Sequence, residues 1–131
     1  MTALMTQTPT RFSDLNLSRY IASALEKIGY DIPTPIQQQA IPEILLGRDI
    51  QGIAQTGTGK TAAFSLPILS HIADDPLPAP KRSTRVLVLS PTRELASQIG
   101  ESMKTYARHI DGFRSTVIFG GTPVSLSLIH I

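Results

Sequence analysis

A chain of 131 residues, 41 % apolar and 17 % charged, has the length of one ordinary domain and too much apolar content for a disordered polymer. It contains no cysteine, which excludes disulfide staples, zinc ribbons and thiol catalysis. Its three histidines are too scattered for a metal cluster. The net charge of +2 names no partner, but its distribution is uneven. Residues 1–80 carry five Lys/Arg against seven Asp/Glu, and residues 81–131 carry seven against three. That second half is compatible with a nearby polyanion and equally with a solvated surface.

In chain order, residues 1–11 read as a polar, mobile leader with neither the basic nor the apolar region of a secretory signal. No apolar run approaches the roughly 18 residues of a membrane span. A helix is expected over residues 18–28, with Ser18 as N-cap, an apolar face of Tyr20, Ile21, Ala24, Leu25 and Ile28, and Gly29 at the C-cap. A second helix starts at Thr34-Pro35, is broken or kinked at Pro42 and ends at Gly47. Residues 49–54 read as a short strand. The Gly/Thr-rich loop 55–59 leads into a helix over residues 60–73, with a kink or irregular turn expected at Pro67. Residues 74–84 form a proline-rich surface linker.

The apolar run Val86-Leu87-Val88-Leu89 has the pattern of a strand buried on both faces. Pro91-Thr92 opens a helix to about His109, with Leu95, Ile99, Met103 and Tyr106 along one side. Residues 115–119 are a third strand, followed by Gly120-Gly121. This alternation predicts an α/β fold with a parallel sheet, helices on both of its faces and right-handed crossovers. The loops after Ala54 and Ser90 then lie at the carboxyl ends of strands, where such folds bind ligands.

The strongest local signal is Ala54-Gln55-Thr56-Gly57-Thr58-Gly59-Lys60-Thr61, between an expected strand and an expected helix. Such a loop turns successive backbone N–H groups inward as an anion nest, and the helix N-terminus adds positive potential. Lys60 would reach the β- and γ-phosphates, and the Thr61 hydroxyl would hold Mg²⁺. Ala54 stands where the strict phosphate-loop pattern has glycine.

Upstream, Thr34 and Gln37 form a T-x-x-Q capping box, in which Gln37 bonds back to the N-cap amide. The same carboxamide can pair with both N6–H and N7 of adenine, a match guanine does not offer. Both readings stand.

The string Gly29-Tyr30-Asp31-Ile32-Pro33-Thr34-Pro35-Ile36-Gln37 resembles the Q motif of DEAD-box RNA helicases. Phe12 resembles that family's isolated upstream aromatic. Residues 54–61 are similar to its motif I, with the Ala included, Pro91-Thr92-Arg93-Glu94-Leu95-Ala96 to its motif Ia, and Gly120-Gly121 to its glycine doublet. The wording of residues 36–42 and 90–99 is similar to a bacterial RhlE-type member.

The resemblance implies a partial RecA-like lobe over residues 12–125 that binds ATP with Mg²⁺, and an RNA helicase activity in the cytoplasm. Partners in ribosome assembly or RNA decay would fit such a protein. Gln37 with Thr34 would recognise adenine, Tyr30 would stack on the base, and Phe12 would pack behind it. Residues 57–61 would hold phosphates and Mg²⁺. Pro91, Thr92, Arg93, Gly120 and Gly121 would touch the RNA sugar–phosphate backbone, although Thr92-Arg93-Glu94 is also an ordinary first helical turn.

The family's acidic D-E-A-D element and its S-A-T element have no counterpart in these 131 residues. The chain alone is therefore expected to bind nucleotide without turning it over. Its last six residues, Leu126-Ser127-Leu128-Ile129-His130-Ile131, depart from the family and correspond to an in-frame translation of a sequencing-adapter-like stretch. They are expected to be a non-native tail.

Overall fold

The computed structural model describes residues 11–75 and 80–121. Residues 1–10 of the expected leader, residues 76–79 of the proline linker and the expected tail over 126–131 lie outside the described residues. A 3-10 turn, Phe12–Leu15, precedes four α-helices: α1 (Arg19–Lys27), α2 (Pro35–Leu45), α3 (Lys60–Asp74) and α4 (Arg93–Tyr106).

The helix expectations are met closely. Ser18 is the N-cap of α1, which buries Ile21, Ala24 and Leu25, and Gly29 has φ +76°. Thr34 caps α2 with Pro35 in its first turn. Neither internal proline ends its helix: α2 runs past Pro42 to Leu45, and α3 past Pro67 to Asp74. Each leaves one carbonyl a turn upstream without its helical donor, a loss that packing offsets. The helix expected to reach His109 stops at Tyr106 and passes into a turn.

Helix α3 is the hub. It buries Ala62, Ala63, Ser65, Leu66, Pro67, Leu69 and Ser70, and it packs on α1, α2 and α4. Small residues between leucines let neighbouring helices approach from several sides. The core joins Phe12, Leu15, Ile21, Leu25, Ile41, Leu66, Leu69 and Tyr106.

Two expectations are corrected. Arg11 is not part of a loose leader: its guanidinium pairs with Asp31 at 2.8 Å, and the Phe12 N–H donates to the Asp31 carbonyl at 3.0 Å. And no strand occurs among the described residues. Residues 49–54, 86–89 and 115–119 follow one another without a hydrogen-bonded ladder. Val86 and Val88 are half-buried, whereas Leu87 and Leu89 are 74 % and 84 % exposed.

The run is thus covered on one face, not two. An apolar tetrapeptide specifies extended backbone, but burial of both faces and strand pairing require neighbours in space. The covered face of the third segment is tight. Gly100 of α4 faces Val117 so closely that a Cβ on Gly100 would lie 2.4 Å from the Val117 methyl carbon Cγ2.

Candidate nucleotide and phosphate-backbone site

The phosphate-type loop is built as its residues dictate. Gly57 (φ +82°) and Gly59 (φ +85°) take the left-handed backbone that turns N–H groups to one side. Gly59 is the N-cap of α3, so Lys60 and Thr61 open that helix, where its unpaired N–H groups and dipole favour an anion. The Thr58 hydroxyl donates to the Gln55 carbonyl at 2.6 Å and tightens the turn. The Lys60 ammonium folds back and donates to the Ala54 carbonyl, also at 2.6 Å. Thr61, the second residue of α3, is half-buried.

The start of α2 grips this loop from the side. The Thr34 hydroxyl donates to the Thr58 carbonyl at 2.8 Å. Gln37, 4 % exposed, accepts from the Thr34 N–H at 2.9 Å through Oε1 and donates from Nε2 to the Gly59 carbonyl at 3.1 Å. The capping reading of Gln37 is met. It closes the end of α2 and ties that end to the loop, and it keeps one N–H and one lone pair. That remaining donor and acceptor are the pair adenine's N7 and N6–H require. The fit at Gly59 is close: a Cβ there would lie 2.3 Å from Gln37 Nε2 and 3.1 Å from Thr34 Oγ1. Only glycine satisfies both the positive φ and this approach.

Phe12 and Tyr30, expected beside a base, form one aromatic stack with ring centroids 6.4 Å apart and planes at 18°. Tyr106 extends it from α4, with its ring 6.4 Å from that of Tyr30 and tilted by 53°. Phe12 is buried, and Tyr30 is partly open to solvent. Burial pushes the Tyr106 phenol up to about 12, and the adjacent Tyr30 adds to the shift. The 3-10 turn holding Phe12 packs on α2, the helix that carries Gln37.

The second group of expected residues converges at the start of α4. Thr92 is the N-cap, its hydroxyl accepting from the Leu95 N–H at 3.2 Å, so the ordinary capping role is real. Pro91, Thr92 and Arg93 are exposed, as are Gly120 and Gly121. Arg93 lies over the Phe119 ring, with Cζ 5.7 Å from the centroid, and a Cβ on Gly120 would be 3.4 Å from Arg93 Nη2. Residues 26 and 27 positions apart in sequence thus meet at one exposed edge. Phe119 was not among the residues expected from the sequence. Its signal was faint: an aromatic next to a glycine doublet, in a segment with alternating exposure.

The profile of the DEAD/DEAH box helicase family matches residues 34–130. The chain is 46 % identical over 124 residues to "ATP-dependent RNA helicase DeaD" of Escherichia coli (strain K12), covering 95 % of this chain and 19 % of that protein. It is 41 % identical over 116 residues to "Pre-mRNA-processing ATP-dependent RNA helicase PRP5" of Mycosarcoma maydis, covering 88 % of this chain and 10 % of that protein. The chain thus spans about a fifth or less of the curated relatives it matches.

Among solved structures it resembles the RNA helicase Prp28 of Chaetomium thermophilum bound to ADP, with a TM-score of 0.80 and 38 % identity over 91 % of this chain and 29 % of that one. It also resembles a DEAD box protein of Methanococcus jannaschii, with a TM-score of 0.71 and 31 % identity over 88 % of this chain and 30 % of that one. With a profile match over most of its length and a phosphate loop braced by Thr34 and Gln37, the chain belongs to the DEAD/DEAH box helicase family.

Proposed function

We infer that this chain is an ATP-binding segment of an ATP-dependent RNA helicase, one that in its longer context unwinds or remodels RNA duplexes. The observation that carries this reading is the Gln37 bridge, which joins a free adenine-matching edge to the carbonyl of the last loop residue before α3. Base identity is read at Gln37, and phosphates settle on the N–H groups of residues 57–61. Lys60 must leave the Ala54 carbonyl to meet them. The Thr61 hydroxyl is a suitable oxygen ligand for Mg²⁺, which when bound would neutralise phosphate charge. The Phe12–Tyr30 stack supplies an aromatic wall close by in sequence.

The exposed edge of Pro91, Thr92, Arg93, Gly120 and Gly121 suits an RNA sugar–phosphate backbone, as donors and a cation without base-reading shape. In the longer protein, closure of a second lobe over ATP and RNA would bend and part a duplex. The extended segments 86–89 and 115–119, each with one partly covered face, and the more exposed segment 49–54 fit strands of the parallel RecA-like sheet.

The test is nucleotide selectivity. A fluorescent adenine nucleotide is titrated into the chain with Mg²⁺, with ATP and GTP as competitors. ATP should win by roughly 10-fold or more, as a bidentate base contact predicts. Gln37→Ala should erase that preference while circular dichroism shows the helices intact. Selectivity unchanged by the substitution would overturn the adenine reading and favour a phosphate loop that does not discriminate bases.

A further inference from the structure

The edge formed by the start of α4 and the glycine doublet holds a residue whose ring the reading so far leaves unused. Phe119 is 40 % exposed and lies beneath the Arg93 guanidinium. Three other arginines, Arg11, Arg48 and Arg85, are paired with Asp31, Glu43 and Asp75. No such carboxylate pairs with Arg93 among the described residues, and its charge rests on an aromatic face. A cation within about 6 Å of a ring centroid is attracted by the ring quadrupole, and a planar guanidinium stacks there with its N–H edge outward.

The location makes the support necessary. Arg93 is the first residue of α4, where the helix dipole repels a cation. A guanidinium there swings away unless something holds it. The ring supplies that hold without consuming a single N–H, which a carboxylate would. Gly120 keeps the other approach clear, since even one methyl would come into contact with Nη2. The result is a fork of donors set beside the exposed N-terminus of α4, both suited to one phosphate.

We propose that Phe119 is a positioning residue that holds the Arg93 guanidinium at the start of α4 for the phosphate of a bound RNA strand. The proposal rests on the RNA-backbone reading of this edge and adds to it a residue that need not touch RNA at all.

The experiment is a double-mutant cycle on the chain, read as anisotropy of a fluorescein-labelled single-stranded oligouridine at several salt concentrations. Phe119→Leu should weaken binding about 3- to 10-fold, and Phe119→Tyr should restore it. In an Arg93→Ala background, which itself lowers the salt slope by about one, Phe119→Leu should change nothing further. Binding of the fluorescent adenine nucleotide should be unaltered in both Phe119 variants. An equal loss from Phe119→Leu with and without Arg93 would overturn the proposal and make the ring itself an RNA contact. Failure of the unsubstituted chain to bind oligouridine would instead remove the RNA reading.

A measurement that does not depend on the variants folding is the NMR signal of the Arg93 Nε–H group in the unsubstituted chain. It should be shifted upfield by the ring and show cross-peaks to Phe119 ring protons. An unshifted, freely averaging signal would refute the positioning role.

Discussion

The phosphate loop and the start of α4 are two exposed edges built on opposite terms. At the phosphate loop, Thr34 and Gln37 hold consecutive loop carbonyls through hydrogen bonds from a buried amide and a hydroxyl, and Gly59 fits with no space to spare. At the start of α4, the exposed Arg93 leans on a ring, and the backbone opposite is a bare glycine. The difference follows from what each edge would meet. A nucleotide is a compact ligand of fixed shape, and a nest of N–H groups works only if it is already formed. A polymer backbone presents repeating charges at variable angles, and a stacked guanidinium can pivot to follow them.

The contrast can be broken most severely at Gly59. Gly59→Ala places a methyl 2.3 Å from the Gln37 amide and demands a positive φ from an alanine, which costs about 1–2 kcal/mol by itself. Nucleotide binding should fall at least roughly 100-fold while oligouridine binding is retained, measured by the two titrations on one protein sample. Equal loss at both edges would show that they are one mechanical unit.

A smaller effect is expected at Gly100, which supports the second edge from behind. Alanine improves helix propensity by about 1 kcal/mol but pushes on Val117, and overpacking costs about 1–3 kcal/mol. Gly100→Ala should therefore lower stability by about 1 kcal/mol in urea unfolding and shift amide signals of residues 115–120, leaving nucleotide affinity untouched.

The third effect appears only at alkaline pH and lies at the aromatic stack. Tyr106 ionises near 12 in the folded chain and near 10 unfolded, so the unfolded state loses its proton first as pH rises. Its contribution to stability is complete below pH 10 and declines between 10 and 12. Urea midpoints at pH 9 and 11 should differ less for Tyr106→Phe than for the unsubstituted chain. An identical difference would remove Tyr106 as the source.

What could be read in advance divides along the same line. The loop of residues 54–61 is local, and glycine spacing with a following helix specifies its conformation within a few residues. Gln37 was legible in two roles, and the structure grants its capping role while leaving the atoms the other needs. The apolar run at 86–89 was misjudged because its pattern records side-chain preference, whereas Leu87 and Leu89 take their surroundings from whatever else is near. Phe119 lies 26 positions from Arg93, and Val117 lies 17 from Gly100. Contacts of that reach leave no spacing rule in a single sequence.

The bond from Lys60 to the Ala54 carbonyl has a consequence for how selective the loop is by ligand size. The Ala54 carbonyl and an incoming anion compete as acceptors for the same ammonium, so the anion must draw Lys60 off that carbonyl. A lone inorganic phosphate gains few contacts for that exchange, whereas a chain of two or three phosphates gains several at once. The exchange therefore favours polyphosphates over single phosphates by the number of contacts each can make in return.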